Sequence, residues 1–168
     1  MTTTFEVKNA KEYYEKFLLC QTDEFLSEKY YNSSRHAVAC AIFAYHQREW
    51  FWKDYKDIIK AYFVANKIIK NSQSSNDDFV ECKFNEYVNS KCPDFRIIRE
   101  VCNGTKHLTV VGNINTLKRR GAFNGGFSGT SINTNDLVII KDNNLLIFKD
   151  ILKNVVDYWA NLFKLLKI

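Results

Sequence analysis

The first part of the chain places hydrophobic side chains at the spacing of α-helices. Residues 10–29 carry apolar side chains every three or four positions, and Asn9 with Glu12 resembles a capping box at the start of this predicted helix. Residues 35–52 form a second predicted helix, whose middle is apolar on every side and is therefore typical of the buried centre of a bundle. The same periodicity continues over residues 54–70 and predicts a third helix.

Two shorter helices are predicted after a polar stretch. The polar residues 71–78 predict a surface loop, and residues 79–90 predict a short helix after it. Pro93 then fits the first turn of another helix over residues 93–103, where its missing N–H costs no hydrogen bond. Gly104 leaves two alternatives open, because a glycine either ends a helix or lies within one that continues.

The C-terminal part changes to the periodicity of strands and then returns to that of a helix. All six glycines of the chain fall between Gly104 and Gly129. Two apolar runs, 137–141 and 145–149, are joined by a polar turn and predict an antiparallel hairpin. Residues 151–168 carry apolar side chains at helical spacing and predict a closing helix.

Together these elements predict an α+β fold that is mostly α: a helical bundle with a small C-terminal antiparallel β-sheet and a closing C-terminal helix. We expect one domain over residues 1–168, with the bundle in 1–107, the sheet region in 108–150 and the last helix in 151–168. A chain of 168 residues is long enough to bury roughly 70% of its unfolded surface around one core.

Composition and charge narrow the classes of function. The chain is 46% hydrophobic and 26% charged, which is typical of a globular protein, and its net charge of +5 is mild for a nucleic-acid-binding protein. Residues 1–103 contain no glycine, which excludes a glycine-rich phosphate-binding loop there. The five cysteines form no Cys-x-x-Cys pair, so we predict neither a metal site nor a cofactor. Cys40 lies in an apolar run and Cys102 in a helical pattern, so we expect these two to be reduced, packed thiols.

Two features of the sequence bear on the cellular compartment: the N-terminal residues and the length of the apolar runs. The first residues show no basic region followed by an apolar run, so no signal peptide is predicted. The longest apolar run, 37–45, is far shorter than the ~20 residues that a membrane span needs. We therefore expect a cytoplasmic protein without a membrane partner.

Candidate chemistry gathers on one face of the predicted helix that begins near Pro93. At about 100° per residue, five polar side chains fall within an arc of about 100°: Arg96, Arg99, Asn103, Lys106 and His107. Guanidinium and ammonium groups bind phosphate oxygens, and an imidazole can transfer a proton at physiological pH. Metal-independent RNA cleavage requires this set of groups. A solvated basic face that complements the helix dipole is the competing interpretation.

A helix with this arrangement of Arg, Asn and Lys-His resembles the signature helix of HEPN domains. Arg99-Glu100 corresponds to the family's Arg–polar pair, and His107 corresponds to its His. The spacing is one residue longer than the family's usual motif, and Glu100 stands where the family usually has Asn, Asp or His.

The resemblance implies a small helical protein that binds RNA or a nucleotide. Many HEPN proteins are metal-independent endoribonucleases of toxin or phage-defence systems. In such a site Arg99 would stabilise the phosphate, His107 would act as general acid or base, and Asn103 would orient the substrate or the His. Arg96 and Lys106 would add phosphate contacts. The family usually places two such helices across a dimer interface, so the resemblance also implies a homodimer.

A second basic segment, Lys118-Arg119-Arg120, precedes two phenylalanines that lie among glycines. One interpretation is a flexible loop that grips a phosphate backbone and stacks bases. The other is a strand that ends in a glycine-bearing turn, with the phenylalanines packed inward. The sequence favours the second interpretation without excluding these three basic residues from substrate binding.

A dense aromatic patch, Trp50, Phe51, Trp52 and Tyr55, supports a different class of function. Aromatic residues at a helix end more often pack in the core or in a protein interface than stack on nucleic-acid bases. The alternative function is therefore a non-enzymatic interaction or accessory module of a bacterial mobile element or defence locus. Its homodimer or protein partner would bind through Trp50, Phe51 and Trp52.

Overall fold

Helices form most of the structure, a computed structural model that describes residues 7–27, 29–30, 32–106, 114–119 and 136–168. A three-stranded antiparallel sheet follows the first helices along the chain, and a long helix closes it. The predicted fold class is therefore confirmed: mostly α, with a small C-terminal sheet and a closing C-terminal helix.

The first helical run has three consecutive parts: α1 (Ala10–Tyr13), a π-helical segment (Tyr14–Leu19) and α2 (Cys20–Leu26). It begins as predicted, because the side chain of Asn9 accepts a 2.8 Å hydrogen bond from the Glu12 N–H. It ends before residue 29, the predicted boundary, and turns towards the next helix.

The two helices predicted over residues 35–52 and 54–70 are one helix, α3 (Ser34–Ala65). The predicted division is present as a kink: Tyr55 departs from helical geometry, with φ −119° and ψ 17°, close to the predicted boundary. The chain has no Gly or Pro there, and the helical run continues beyond the kink.

The polar stretch after α3 contains a 3₁₀ turn (Asn71–Gln73), and two helices follow it: α4 (Asp77–Lys91) and α5 (Asp94–Lys106). Pro93 lies just before α5 and not within its first turn, which corrects the predicted start. The Arg96 N–H donates to the Pro93 carbonyl oxygen at 3.1 Å, so the proline closes the turn that leads into the helix.

The sheet consists of β1 (Ile114–Arg119), β2 (Asp136–Lys141) and β3 (Asn144–Ile147), in that spatial order and antiparallel throughout. The predicted hairpin is confirmed. Its two turn residues, Asp142 and Asn143, have left-handed φ values of 49° and 64°, which Asp and Asn tolerate better than other residues.

The closing helix α6 (Phe148–Leu166) begins earlier than residue 151, so Lys149 belongs to the helix and not to the predicted strand. Its apolar stripe is buried as predicted. Trp159 lies at the centre of the core, with its ring 5.6 Å from that of Phe51 and 5.8 Å from that of Phe95. Since Phe51 and Phe95 lie on α3 and α5, these contacts pack α3, α5 and α6 together.

Candidate functional site

Helix α5 separates an apolar face from a polar one, as the sequence predicts. Phe95, Ile98 and Cys102 are buried, whereas Arg96, Arg99 and Asn103 are exposed. The buried face holds the helix against α3 and α6, so the three polar side chains project from a firmly packed element. The structure thus brings together three of the predicted site residues.

The helix continues through Gly104, and the structure describes it as far as Lys106. Of the two alternatives that the sequence left open, a helix that ends at Gly104 and one that continues, the structure shows the second. The tertiary packing of α5 outweighs the preference of glycine for helix ends, a preference worth only about 1 kcal/mol. His107 and Arg120 lie outside the described residues, and so do the side chains of Lys106, Lys118 and Arg119.

The two acidic side chains of α5 are both engaged with other elements. Asn154 Nδ2 on α6 donates to Asp94 Oδ2 at 2.7 Å, and Lys141 Nζ on β2 lies 3.2 Å from Glu100 Oε1. Neither Arg96 nor Arg99 forms an ion pair with any residue in the described part of the chain. Neither arginine is therefore ion-paired with an acidic residue of α5.

This arrangement can bind anions. Arg96 and Arg99 are separated by about 4.5 Å along the helix axis, one turn apart, and so point to the same side. Each guanidinium offers a planar fork of N–H donors that matches the oxygens of a phosphate. Asn103 adds a neutral amide on the same face, which can donate to or accept from a sugar hydroxyl.

Two histidines lie on α3 and neither is placed to join a metal site. His46 Nδ1 lies 3.0 Å from Glu49 Oε2, and His36 is buried beside Ser33. Among the residues that the structure describes, no group of three or more His, Cys, Asp or Glu side chains could hold a metal ion.

The buried cysteines are not poised for nucleophilic chemistry. Burial raises the pKa of the Cys40 thiol to about 12 and that of Cys92 to about 11. Both therefore stay protonated at neutral pH, and a thiol is a far weaker nucleophile than a thiolate. The burial of Cys40 and Cys102 agrees with the packed thiols that the sequence predicts.

The aromatic patch is mainly part of the core. Phe51 is completely buried, so the prediction that it contacts a partner was wrong. It faces inwards because α3 turns this residue towards α6, where it meets Trp159. Trp50 and Trp52 are half-buried and stack on Tyr13 and Phe84, at 5.1 Å and 6.1 Å between ring centroids.

Sequence reasoning missed a cluster at the start of α3. Ser33 Oγ lies 2.7 Å from His36 Nδ1, and His36 Nε2 lies 3.5 Å from Glu24 Oε1. The spacing of Ser33 and His36 places them one helical turn apart and could have indicated their contact. Glu24 comes from α2, so nothing local in the sequence points to it.

Comparison with known proteins does not name a family. The chain matches no protein-family model, and it has no significant match among curated proteins or solved structures. None of the helices in the described residues is long and apolar enough to cross a membrane.

Proposed function

We propose that the protein binds RNA through the exposed face of α5, as a HEPN-like protein. One observation carries the proposal: both arginines of this face are exposed and have no ion-pair partner in the described part of the chain, while both acidic residues of the same helix are held elsewhere. An ordinary solvated helix face tends to pair its opposite charges along the helix. Here the pairing leaves a cationic surface.

The phosphate backbone is the part of RNA that this face would contact. Arg96 and Arg99 would each bind a phosphate oxygen pair, and Asn103 would contact a ribose hydroxyl or a base edge. Such contacts release counterions from the nucleic acid, so the affinity would fall steeply as salt is added. The net charge of +5 acts in the same direction by attracting the polyanion.

Metal-independent cleavage is the catalytic part of the proposal, and it requires His107. Helix α5 reaches Lys106, the residue immediately before His107. In the proposed reaction the imidazole removes the proton from a ribose 2′-hydroxyl, and the resulting oxygen attacks the adjacent phosphorus. The imidazolium gives that proton to the departing 5′-oxygen, and a 2′,3′-cyclic phosphate remains. Arg99 stabilises the charge that develops on the phosphorane oxygens.

RNA binding is tested first with the double variant Arg96→Ala/Arg99→Ala. Fluorescence anisotropy with a labelled single-stranded RNA should show binding weakened about tenfold or more, and a salt slope reduced by about 1.4 for two lost phosphate contacts. The matched control is Lys53→Ala, since Lys53 is an exposed cation on α3. Equal RNA affinity in the double variant and the control would refute the proposal.

Cleavage is tested separately, in the presence of EDTA. The wild type should produce fragments that end in a 2′,3′-cyclic phosphate, and His107→Ala should lower the cleavage rate about 100-fold or more while RNA binding is retained. RNA binding without any cleavage by the wild type would assign the protein to the non-enzymatic class. Half-buried Trp50 and Trp52 are then the side chains to vary in a search for a protein partner.

A further inference from the structure

The start of α3 brings a serine, a histidine and a glutamate close together. Ser33 Oγ and His36 Nδ1 are 2.7 Å apart, within the range of a nucleophile and its general base. The other ring nitrogen, Nε2, faces Glu24 Oε1 at 3.5 Å. Two different nitrogens of one imidazole therefore contact a hydroxyl and a carboxylate, as in a Ser-His-acid triad.

The surroundings fix the orientation of the imidazole. His36 is 5% exposed, and its ring stacks on that of Tyr30 at 4.3 Å and an interplanar angle of 21°. The negative charge of the Glu24 carboxylate lies on the Nε2 side of the ring and favours the tautomer with its proton on Nε2. Nδ1 is then the acceptor for the Ser33 hydroxyl proton.

Ser33 occupies the N-cap position of α3 without capping it. An N-cap serine normally accepts a hydrogen bond from a backbone N–H of the first turn, but the Ser33 side chain makes no such bond to the described first turn of α3. Its hydroxyl is directed to the imidazole instead. The N–H groups of Ser34 and Arg35 lie at the helix end, where a negative charge on a reacting oxygen is stabilised.

A cavity beside this cluster has room for a small apolar group. Its volume is about 160 Å³, and α3 contributes Ser34, Ala37 and Val38 to its lining. Phe148 and Val138 close it from α6 and the sheet. Ser33, His36 and Glu24 do not line the cavity themselves, so an acyl chain attached to Ser33 would have to extend past Ser34 to enter it.

We infer that Ser33 is the nucleophile of an acyl-transfer site for esters or thioesters of short aliphatic acids. Ser33 Oγ attacks the carbonyl carbon, and its proton passes to His36 Nδ1. The tetrahedral intermediate expels the alcohol or thiol, which takes that proton, and the acyl group remains on Ser33. A water molecule, deprotonated by His36, then releases the acid and restores the serine. Glu24 is a positioning residue that acts through His36.

The test uses the full-length protein and an alkyl fluorophosphonate probe. Ser33 Oγ attacks phosphorus and fluoride leaves, so a stable adduct forms on the serine. Peptide mass spectrometry should place the adduct on Ser33 in the wild type and in the matched variant Ser34→Ala. Ser33→Ala should show no adduct, and His36→Gln should react about 100-fold more slowly. The rate of 4-nitrophenyl acetate hydrolysis should be highest in the wild type and Ser34→Ala, lower in His36→Gln, and lowest in Ser33→Ala.

The role of Glu24 has its own readout. Glu24→Gln should lower the maximal rate of labelling about tenfold without changing the probe concentration at half-maximal rate, and Glu24→Asp should recover part of that rate. Circular dichroism of each variant separates these effects from unfolding.

Three results would overturn the inference: a folded wild type without an adduct on Ser33, a folded His36→Gln variant that labels at the wild-type rate, or an adduct confined to Ser34. RNA binding by α5 does not depend on Ser33, His36 or Glu24. A negative result in one of the two sets of experiments therefore leaves the other proposal standing.

Discussion

Glu100 Oε1 on α5 lies 3.2 Å from Lys141 Nζ on β2, and this ion pair connects α5 to the sheet. The two side chains are 26% and 28% exposed, so water screens the pair and its contribution to stability is at most about 1 kcal/mol. The pair also engages the Glu100 carboxylate, so this acidic group forms no ion pair with Arg96 or Arg99.

Replacing Glu100 by Gln should strengthen RNA binding and leave the fold intact. The amide carries no charge, so the potential over the face of Arg96 and Arg99 becomes more positive. We expect a two- to threefold higher affinity at low salt, on the order of 0.5 kcal/mol, which disappears at high salt. Fluorescence anisotropy at several salt concentrations measures it. Glu15→Gln removes an exposed charge elsewhere and should change the affinity less.

Replacing Gly104 by Ala should stabilise the protein, because α5 continues through this residue. Alanine loses less backbone freedom than glycine when a helix forms, and we expect a gain of about 0.5–1 kcal/mol in the free energy of unfolding by urea. Gly104→Asn is the matched variant. If residue 104 lies inside the helix, the Gly104→Ala variant should be more stable to urea than Gly104→Asn. A more stable Gly104→Asn variant would instead place Gly104 at a left-handed helix end.

The acid stability of the contact between α3 and α4 should depend on Asp77. Its carboxylate accepts from Lys56 Nζ at 2.8 Å and also pairs with Lys60. Hydrogen bonds from these two lysines lower the pKa of Asp77 from 3.8 to about 2. The folded protein thus holds this carboxyl deprotonated more strongly than the unfolded chain does. The resulting stabilisation is complete above pH 4 and is lost as the pH falls towards 2.

The measurement is urea unfolding of the wild type and Asp77→Asn between pH 5 and pH 2. The wild type should be the more stable protein at pH 5, and the difference should shrink as the pH falls through the window between about 4 and about 2. A difference that stays constant over this range would contradict the role of the two lysines.

Truncation of Trp159 should strongly destabilise the core. Its side chain is 0% exposed and contacts the rings of Phe51 and Phe95. Trp159→Ala should cost about 3–5 kcal/mol because it leaves a large cavity. Trp159→Phe should cost clearly less, since the indole Nε1 has no hydrogen-bond partner among the described residues and none is lost.

Denaturation by urea distinguishes these variants. Leu165→Ala on the same helix is the control, because Leu165 is 51% exposed and its truncation should cost well under 1 kcal/mol. Equal losses for Trp159→Ala and Leu165→Ala would contradict the packing of α6 against α3 and α5.

The candidate site could be predicted in part from the sequence. The exposure of Arg96, Arg99 and Asn103 follows from helical periodicity alone, because Phe95, Ile98 and Cys102 must face the core. The engagement of Glu100 by Lys141 could not be predicted, since the two residues lie 41 positions apart and meet only once β2 packs beside α5. The same holds for His36 and Glu24, which belong to different helices.

The sequence by itself determined the elements and the faces they bury, because the periods of 3.6 and 2 residues depend only on neighbours along the chain. It specified the hairpin turn at Asp142 and Asn143 and the stripe that α6 buries. The tertiary structure decided that α5 passes through Gly104 and that Phe51 is buried. Each of these outcomes is set by packing between distant segments, which outweighs local preferences of about 1 kcal/mol or less.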